Sequence, residues 1–170
     1  NAKNSDVASR SDPSTATNLY NLLPDGSLDP REATIDRYAF GKSYGPGKED
    51  IYAISYNGAQ DIGEDLRFYS TGTFSYRDAF KNTGSFLPKF VNSLPEIYPN
   101  GFNAFRRILE TDLQTTFGLK GEVSGWAWDI STTYAQDHAD LRGVNTLNAS
   151  LGPSSPTRFK LSAHTFDQWT

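Results

Sequence analysis

The chain has 170 residues and a mass of 18.8 kDa; 16 Lys+Arg stand against 20 Asp+Glu, a net charge of −4, which excludes a basic nucleic-acid binder. Hydrophobic residues make up 36% and aromatic residues 14% of it, so aromatics take the place of aliphatics in a Gly-, Ser-, Thr- and Asn-rich background that suits β-sheet. With no cysteine, a disulfide framework, a thiolate zinc site and a cysteine nucleophile are excluded, and no apolar run approaches the ~18 residues of a membrane helix.

Residues 1–47 are polar, with turn signals at Pro24-Asp25-Gly26, Asp29-Pro30 and Gly45-Pro46-Gly47. They read as a loop, disordered over the first 18 residues, where nothing offsets the ordering entropy. The N-terminus has neither an apolar signal core nor an initiator Met, so the chain reads as a piece of something longer.

After Lys48 the pattern takes a period of two. Tyr52, Ile54 and Tyr56 fall on one side of a strand, and Ala53, Ser55 and Asn57 on the other. A short link at residues 60–64 leads to a run in which Leu66, Phe68, Ser70, Gly72, Phe74 and Tyr76 alternate with Arg67, Tyr69, Thr71, Thr73, Ser75 and Arg77, predicting a hairpin. Residues 79–107 lose the alternation and hold Pro88, Pro95 and Pro99; they read as a long loop.

Leu113, Thr115, Phe117 and Leu119 then oppose Asp112, Gln114, Thr116 and Lys120, and a turn at 122–125 opens a second hairpin. Its outgoing strand sets Trp126, Trp128, Ile130, Thr132 and Tyr134 against Ala127, Asp129, Ser131 and Thr133. A second long connection covers residues 141–157, and a last strand starts at Arg158. The expectation is an all-β chain: an antiparallel meander of about five strands in long hairpins.

Such alternation fits a soluble sheet over a core or a transmembrane barrel with one face to lipid. Three features favour the barrel. The strands are long, short turns alternate with long loops, and the apolar sets of the three strands after the first carry no Lys, Arg, Asp or Glu. Aromatics gather at the ends of those sets, with Phe68, Trp126 and Trp128 by the turns and Tyr76 and Tyr134 by the loops, as in interfacial girdles. The lipid-facing candidates are Tyr52, Tyr56, Phe68, Phe74, Tyr76, Phe117, Trp126, Trp128 and Tyr134; the lumen-facing candidates are Arg67, Arg77, Asp112, Lys120 and Asp129.

Several segments also carry a family resemblance. Glu96-Ile97-Tyr98-Pro99-Asn100-Gly101-Phe102, the run Leu119 to Tyr134, and Asn145-Thr146-Leu147-Asn148-Ala149-Ser150-Leu151-Gly152 resemble the barrel of a TonB-dependent outer-membrane receptor. Asp25 to Thr34 and Phe68 to Arg77 resemble early barrel segments of that family, and the likeness covers about residues 20–170. It implies a Gram-negative outer-membrane protein whose barrel encloses a plug and imports a scarce nutrient: a ferric siderophore, cobalamin or a saccharide. Its partners would be outer-membrane lipid, the rest of its own barrel and plug, and TonB acting through that plug, which this sequence does not show. On this view residues 1–47 are an extracellular loop and residues 48–170 are barrel strands and loops of one partial domain. About five strands cannot close a barrel, so their edges are open to self-association. The alternatives are a soluble secreted β-sheet binding module and a self-assembled sheet.

Catalytic readings are weak, and the chain reads as a binding and transport protein without cofactor, metal or enzymatic activity. Gly41 to Lys48 has the wrong spacing for a phosphate loop, with Glu49 where a Ser or Thr would hold magnesium. Asp137-His138-Ala139-Asp140 puts its first two residues on opposite strand faces. Asp112, Glu122 and Asp129 could pair as glycosidase carboxylates, but on the barrel reading Asp112 and Asp129 are ordinary solvated lumen charges, and Asn148-Ala149-Ser150 is a sequon without force in a bacterial protein. Tyr98, Phe102, Phe105, Arg106 and Arg107 form a candidate ligand loop, because aromatics beside cations suit an anionic or sugar ligand.

Overall fold

A computed structural model describes residues 18–36 and 47–170. Five antiparallel strands form one open sheet in sequence order: β1 (Lys48–Asp61), β2 (Leu66–Phe86), β3 (Phe102–Val123), β4 (Trp126–Val144) and β5 (Arg158–Trp169). The meander is as the alternation predicts, and the sheet does not close into a barrel. Of the first 18 residues expected to be disordered, 1–17 lie outside the described residues, as does most of the Gly41–Lys48 loop, whereas Asn18 is placed and its carbonyl accepts from Lys89 Nζ.

The turns follow local chemistry. Residues 62–65 close the first hairpin, with the Ile62 N–H donating to the Leu66 carbonyl at 2.8 Å. Ser124 (φ 53°) and Gly125 (φ 81°) close the second. Two successive positive φ values match the strand twist in a two-residue turn, and glycine takes such a value without a Cβ penalty.

Two expectations about the connections are corrected. The loop assigned to residues 79–107 shrinks to residues 87–101, which hold all three prolines, because β2 runs on to Phe86 and β3 starts at Phe102. The connection assigned to residues 141–157 shrinks to 145–157, since β4 reaches Val144. The physical reason is that Ser75–Phe80 and Thr133–Leu141 are half-buried on successive residues. Where both faces are covered, ladder pairing continues but polar and apolar residues no longer need to alternate. Extra residues add to this. Phe80 stacks on Phe105 (4.6 Å) and Phe86 on Phe102 (4.8 Å), so β2 uses six residues where β3 uses three. The irregular stretch is held by the Asn82 side chain, which accepts the Gly84 N–H at 2.7 Å.

The longer strands also limit the charge-free face. Asp78 continues the alternate set of Phe74 and Tyr76, and Asp140 that of Trp126 to Tyr134. Freedom from charge therefore belongs to the turn-proximal part of each strand, not to the whole strand.

The chain divides into two compact units. One comprises, among described residues, 18–36, 47–49, 79–107 and 141–161; the other comprises 50–78, 108–140 and 162–170. Every buried hydrophobic residue among those described, namely Leu19, Tyr20, Phe102 and Ala104, belongs to the first. Its segment 18–36 is ordered around a short 3-10 helix, Pro30–Ala33, capped by the Asp29 carboxylate on the Arg31 N–H. Lys89 donates its backbone N–H to the Leu19 carbonyl (2.9 Å) and its Nζ to the Asn18 carbonyl (2.7 Å). The Tyr20 hydroxyl donates to Asn100 Oδ1 at 2.7 Å, and the Arg31 guanidinium lies 4.1 Å above the Tyr20 ring.

Candidate functional site

The second unit presents two chemically distinct strand faces, and contacts assign the residues to them. On one face Tyr52 lies beside Tyr76 (6.5 Å), Phe68 beside Phe117 (6.4 Å) and Tyr134 against Trp169 (4.8 Å). Ile54, Tyr56, Phe74, Leu113, Trp126 and Ile130 share their parities and are exposed, Trp126 at 78% and Ile130 at 71%. The sequence-predicted girdle residues thus share one face of β1 to β4, with Trp128 among them.

The opposite face collects the predicted lumen residues into cross-strand pairs. Arg67 Nε donates to Asp61 Oδ1 at 2.6 Å; Arg77 is bonded to Glu110 through both Nε and a terminal nitrogen. The Tyr69 hydroxyl donates to Asp129 Oδ1 at 2.7 Å, and Lys120 Nζ stands 5.8 Å from the same ring. The Thr116 and Thr133 hydroxyls meet at 2.8 Å. Asp112 lies exposed on β3. Near the turns a cleft of about 590 Å³ is lined by residues of both faces, Asp61, Glu64, Arg67, Lys120, Trp128 and Asp129.

Two tyrosines reach across a whole strand, one on each face. The Tyr56 ring from β1 lies over Gly72 of β2, and its hydroxyl bonds Ser70 of β2 (2.9 Å) and Thr115 of β3 (2.8 Å). Tyr69 of β2 lies over Gly118 of β3 and ends on Asp129 of β4. A Cβ on either glycine would collide with the ring above it; glycine makes the close approach possible and the aromatic covers the exposed backbone.

Of the candidate ligand-loop residues only Tyr98 lies in a loop; Phe102, Phe105, Arg106 and Arg107 stand at the start of strand β3, which the loss of alternation concealed, and all five belong to the first unit. Tyr98 stacks on Phe102 at 4.3 Å, and Phe102 is 6% exposed. Phe105 packs on Phe80; Arg106 is exposed and Arg107 half-buried. Burial raises the Tyr98 hydroxyl pKa, countered by a hydrogen bond with Thr157. Burial likewise raises that of Tyr20, with Arg31 opposing. The Arg31 side chain holds the Asp29 carboxyl below its ordinary range. Thr146, Leu147, Asn148 and Phe159 line a neighbouring cleft of about 440 Å³ beside Phe86 and Phe102.

Sequence reasoning missed Asp61, Tyr69 and Glu110 as partners of the predicted charges, and Asp167, which accepts from the Tyr134 hydroxyl at 2.8 Å and from Gln136 at 2.7 Å. Cross-strand register was the missing signal. Of the weaker catalytic candidates, His138 Nδ1 meets the Thr165 hydroxyl at 2.7 Å and its Nε2 lies 4.0 Å from Asp140, while Asp129 is taken up by Tyr69. Compared with protein-family models, with curated protein sequences and with solved structures, the chain gives no match.

Proposed function

We propose that this chain is a stretch of the wall of a transmembrane β-barrel of the TonB-dependent outer-membrane receptor kind, serving import of a scarce nutrient and catalysing no reaction. The observation that carries this reading is the exposed face bounded by Phe68, Trp126 and Trp128 at one end and Tyr76 and Tyr134 at the other, free of charge between them on β2 to β4. In water that face is unfavourable, since each fully exposed large apolar side chain forgoes roughly 1.5–3 kcal/mol of burial; in lipid it is at home. From Trp126 to Tyr134 the strand covers about 27 Å at ~3.4 Å per residue. At a tilt of about 40° this is about 21 Å along the bilayer normal, near the ~25 Å apolar band of such barrels.

On this reading Arg67, Arg77, Asp112, Lys120 and Asp129 look into the lumen towards a plug, and the connections at 87–101 and 145–157 stand at the extracellular rim. Lipid, the rest of the barrel and TonB acting through the plug are the partners. The likeness of the segments 96–102, 119–134 and 145–152 to that receptor family supports the same conclusion.

The open edges favour one other reading, a sheet assembled from copies of the chain, as β1 is exposed along all its residues. The test is to fractionate source cells and map the polypeptide that carries these peptides. An outer-membrane species much heavier than 18.8 kDa is expected; a free 18.8 kDa species outside the membrane overturns the proposal in favour of a soluble module or a self-assembled sheet.

A further inference from the structure

The cleft of about 440 Å³ beside Phe86 and Phe102 lies wholly within the first unit, and its chemistry is narrow. The described residues that line it include no Lys, Arg, Asp or Glu. Arg106 and Arg107, which the sequence sets close to Tyr98 and Phe102, are not in the lining. Aromatics beside cations suit an anion or a sugar; with the cations elsewhere only a neutral ligand keeps its fit, because a charge taken out of water without a counter-charge is costly.

The walls are fixed before any ligand arrives. Phe102 is sandwiched between Phe86 (4.8 Å, rings 9° apart) and Tyr98 (4.3 Å, 27°), and the Tyr98 hydroxyl donates to the Thr146 carbonyl at 3.4 Å. The Thr146 N–H donates to the Thr157 carbonyl at 3.1 Å and the Asn148 N–H to Ser155 Oγ at 2.7 Å. Asn148 Oδ1 accepts the Ser150 N–H at 3.1 Å and caps the short turn Ala149–Ser154. Walls held in this way lose little conformational freedom on binding.

The same bonds leave three neutral groups over. The Asn148 amide nitrogen, the Thr146 hydroxyl and the whole Asn92 side-chain amide make no hydrogen bond within the described residues. They border a floor that includes Phe86, Leu147 and Phe159. A wholly apolar guest would strip water from these groups and return nothing. A flat aromatic guest gains most between two rings, and that slot is filled by Phe102 itself. A pyranose carries a face of C–H bonds and a rim of uncharged hydroxyls, the complement of a ring face bordered by two amides and a hydroxyl.

We infer that this cleft is a binding site for an uncharged pyranose sugar, its C–H face on the side of Phe86 and Phe159 and its hydroxyls bonded to Asn92, Thr146 and Asn148. The site belongs to one unit and needs no membrane, so it stands independently of the transport reading.

The native polypeptide that carries these residues is purified in a detergent without a sugar headgroup and mixed in turn with glucose, galactose, mannose, maltose and cellobiose. Transfer of saturation from the protein's aromatic protons to the sugar C–H protons is followed by NMR. Expected is saturation of at least one of these sugars, with an affinity that changes little between low and high salt. Asn92→Ala, at an exposed position without a hydrogen bond in the fold, and Thr146→Val should each weaken that sugar about two- to tenfold, the loss of one hydrogen bond. Ala149→Trp should abolish binding by filling the cleft. Saturation of none of the five sugars overturns the inference, as do tighter binding of the anions glucuronate or citrate and sugar binding that Asn92→Ala and Thr146→Val leave unchanged. The cell fraction that holds the protein reads separately: its absence from the outer membrane sinks the transport reading, whereas the saturation experiment decides the sugar site.

Discussion

The two units use the same kinds of side chain in opposite ways. In the unit built on residues 50–78, 108–140 and 162–170, aromatic and aliphatic side chains stand exposed, Ile54 and Ile130 each at 71%. In the other, Leu19 and Tyr20 are each 3% exposed, and Tyr98, Phe102 and Phe86 form a stack. One unit makes a small core of its own; the other leaves its large apolar side chains exposed. Composition averages the two and conceals both.

The comparison breaks most sharply at Phe102. Truncating this buried ring, Phe102→Ala, is expected to destabilise the unit that holds it by about 3–5 kcal/mol, read as protease sensitivity confined to residues 87–101; an insensitive variant would mean the core is not one. Next come charges on the exposed face: Phe74→Arg or Ile130→Arg should cost about 2–4 kcal/mol in a bilayer, measured by denaturant titration in lipid vesicles, while Thr73→Arg on the other face should be mild. Equal sensitivity of both faces would remove the lipid assignment.

Gly118→Ala pushes a Cβ into the Tyr69 ring and should cost about 1–3 kcal/mol by overpacking; the double variant with Tyr69→Ala should recover part of it. Tyr20→Phe loses only the bond to Asn100, about 1 kcal/mol, and hydrogen exchange of segment 18–36 should rise while that of β3 stays unchanged. The smallest effect is of pH. Because Arg31 lowers the Asp29 pKa, the capping contact is present above the ordinary Asp range and is lost as pH falls through the depressed value. Acid titration followed by NMR at Asp29 should show its midpoint below that of a free aspartate.

Much of the sheet was legible in the chain because half-covered strands must alternate. Tyr52 to Tyr56, Phe68 to Arg77 and Trp126 to Tyr134 declare their faces letter by letter. Where Phe80, Phe86 and Phe105 cover both sides, alternation ends before the strand does, so the letters no longer mark β2 from residue 79 on. Pairings such as Arg77 with Glu110 or Tyr134 with Asp167 depend on register, which no single strand carries. Leu19 and Tyr20 were hidden for another reason: two apolar residues in a polar stretch look incidental until the main chain of Lys89 and the side chain of Asn100 meet them.

The tyrosines that cross a strand also bear on the order of assembly. Tyr56 cannot complete its contacts until β3 stands beside β2, and Tyr69 waits in the same way for β4. A lone hairpin of β1 and β2 would keep the Tyr56 bond to Ser70 and lack the one to Thr115. Each of these tyrosines ties three successive strands to one register, so a slip in one ladder would also break contacts in the next.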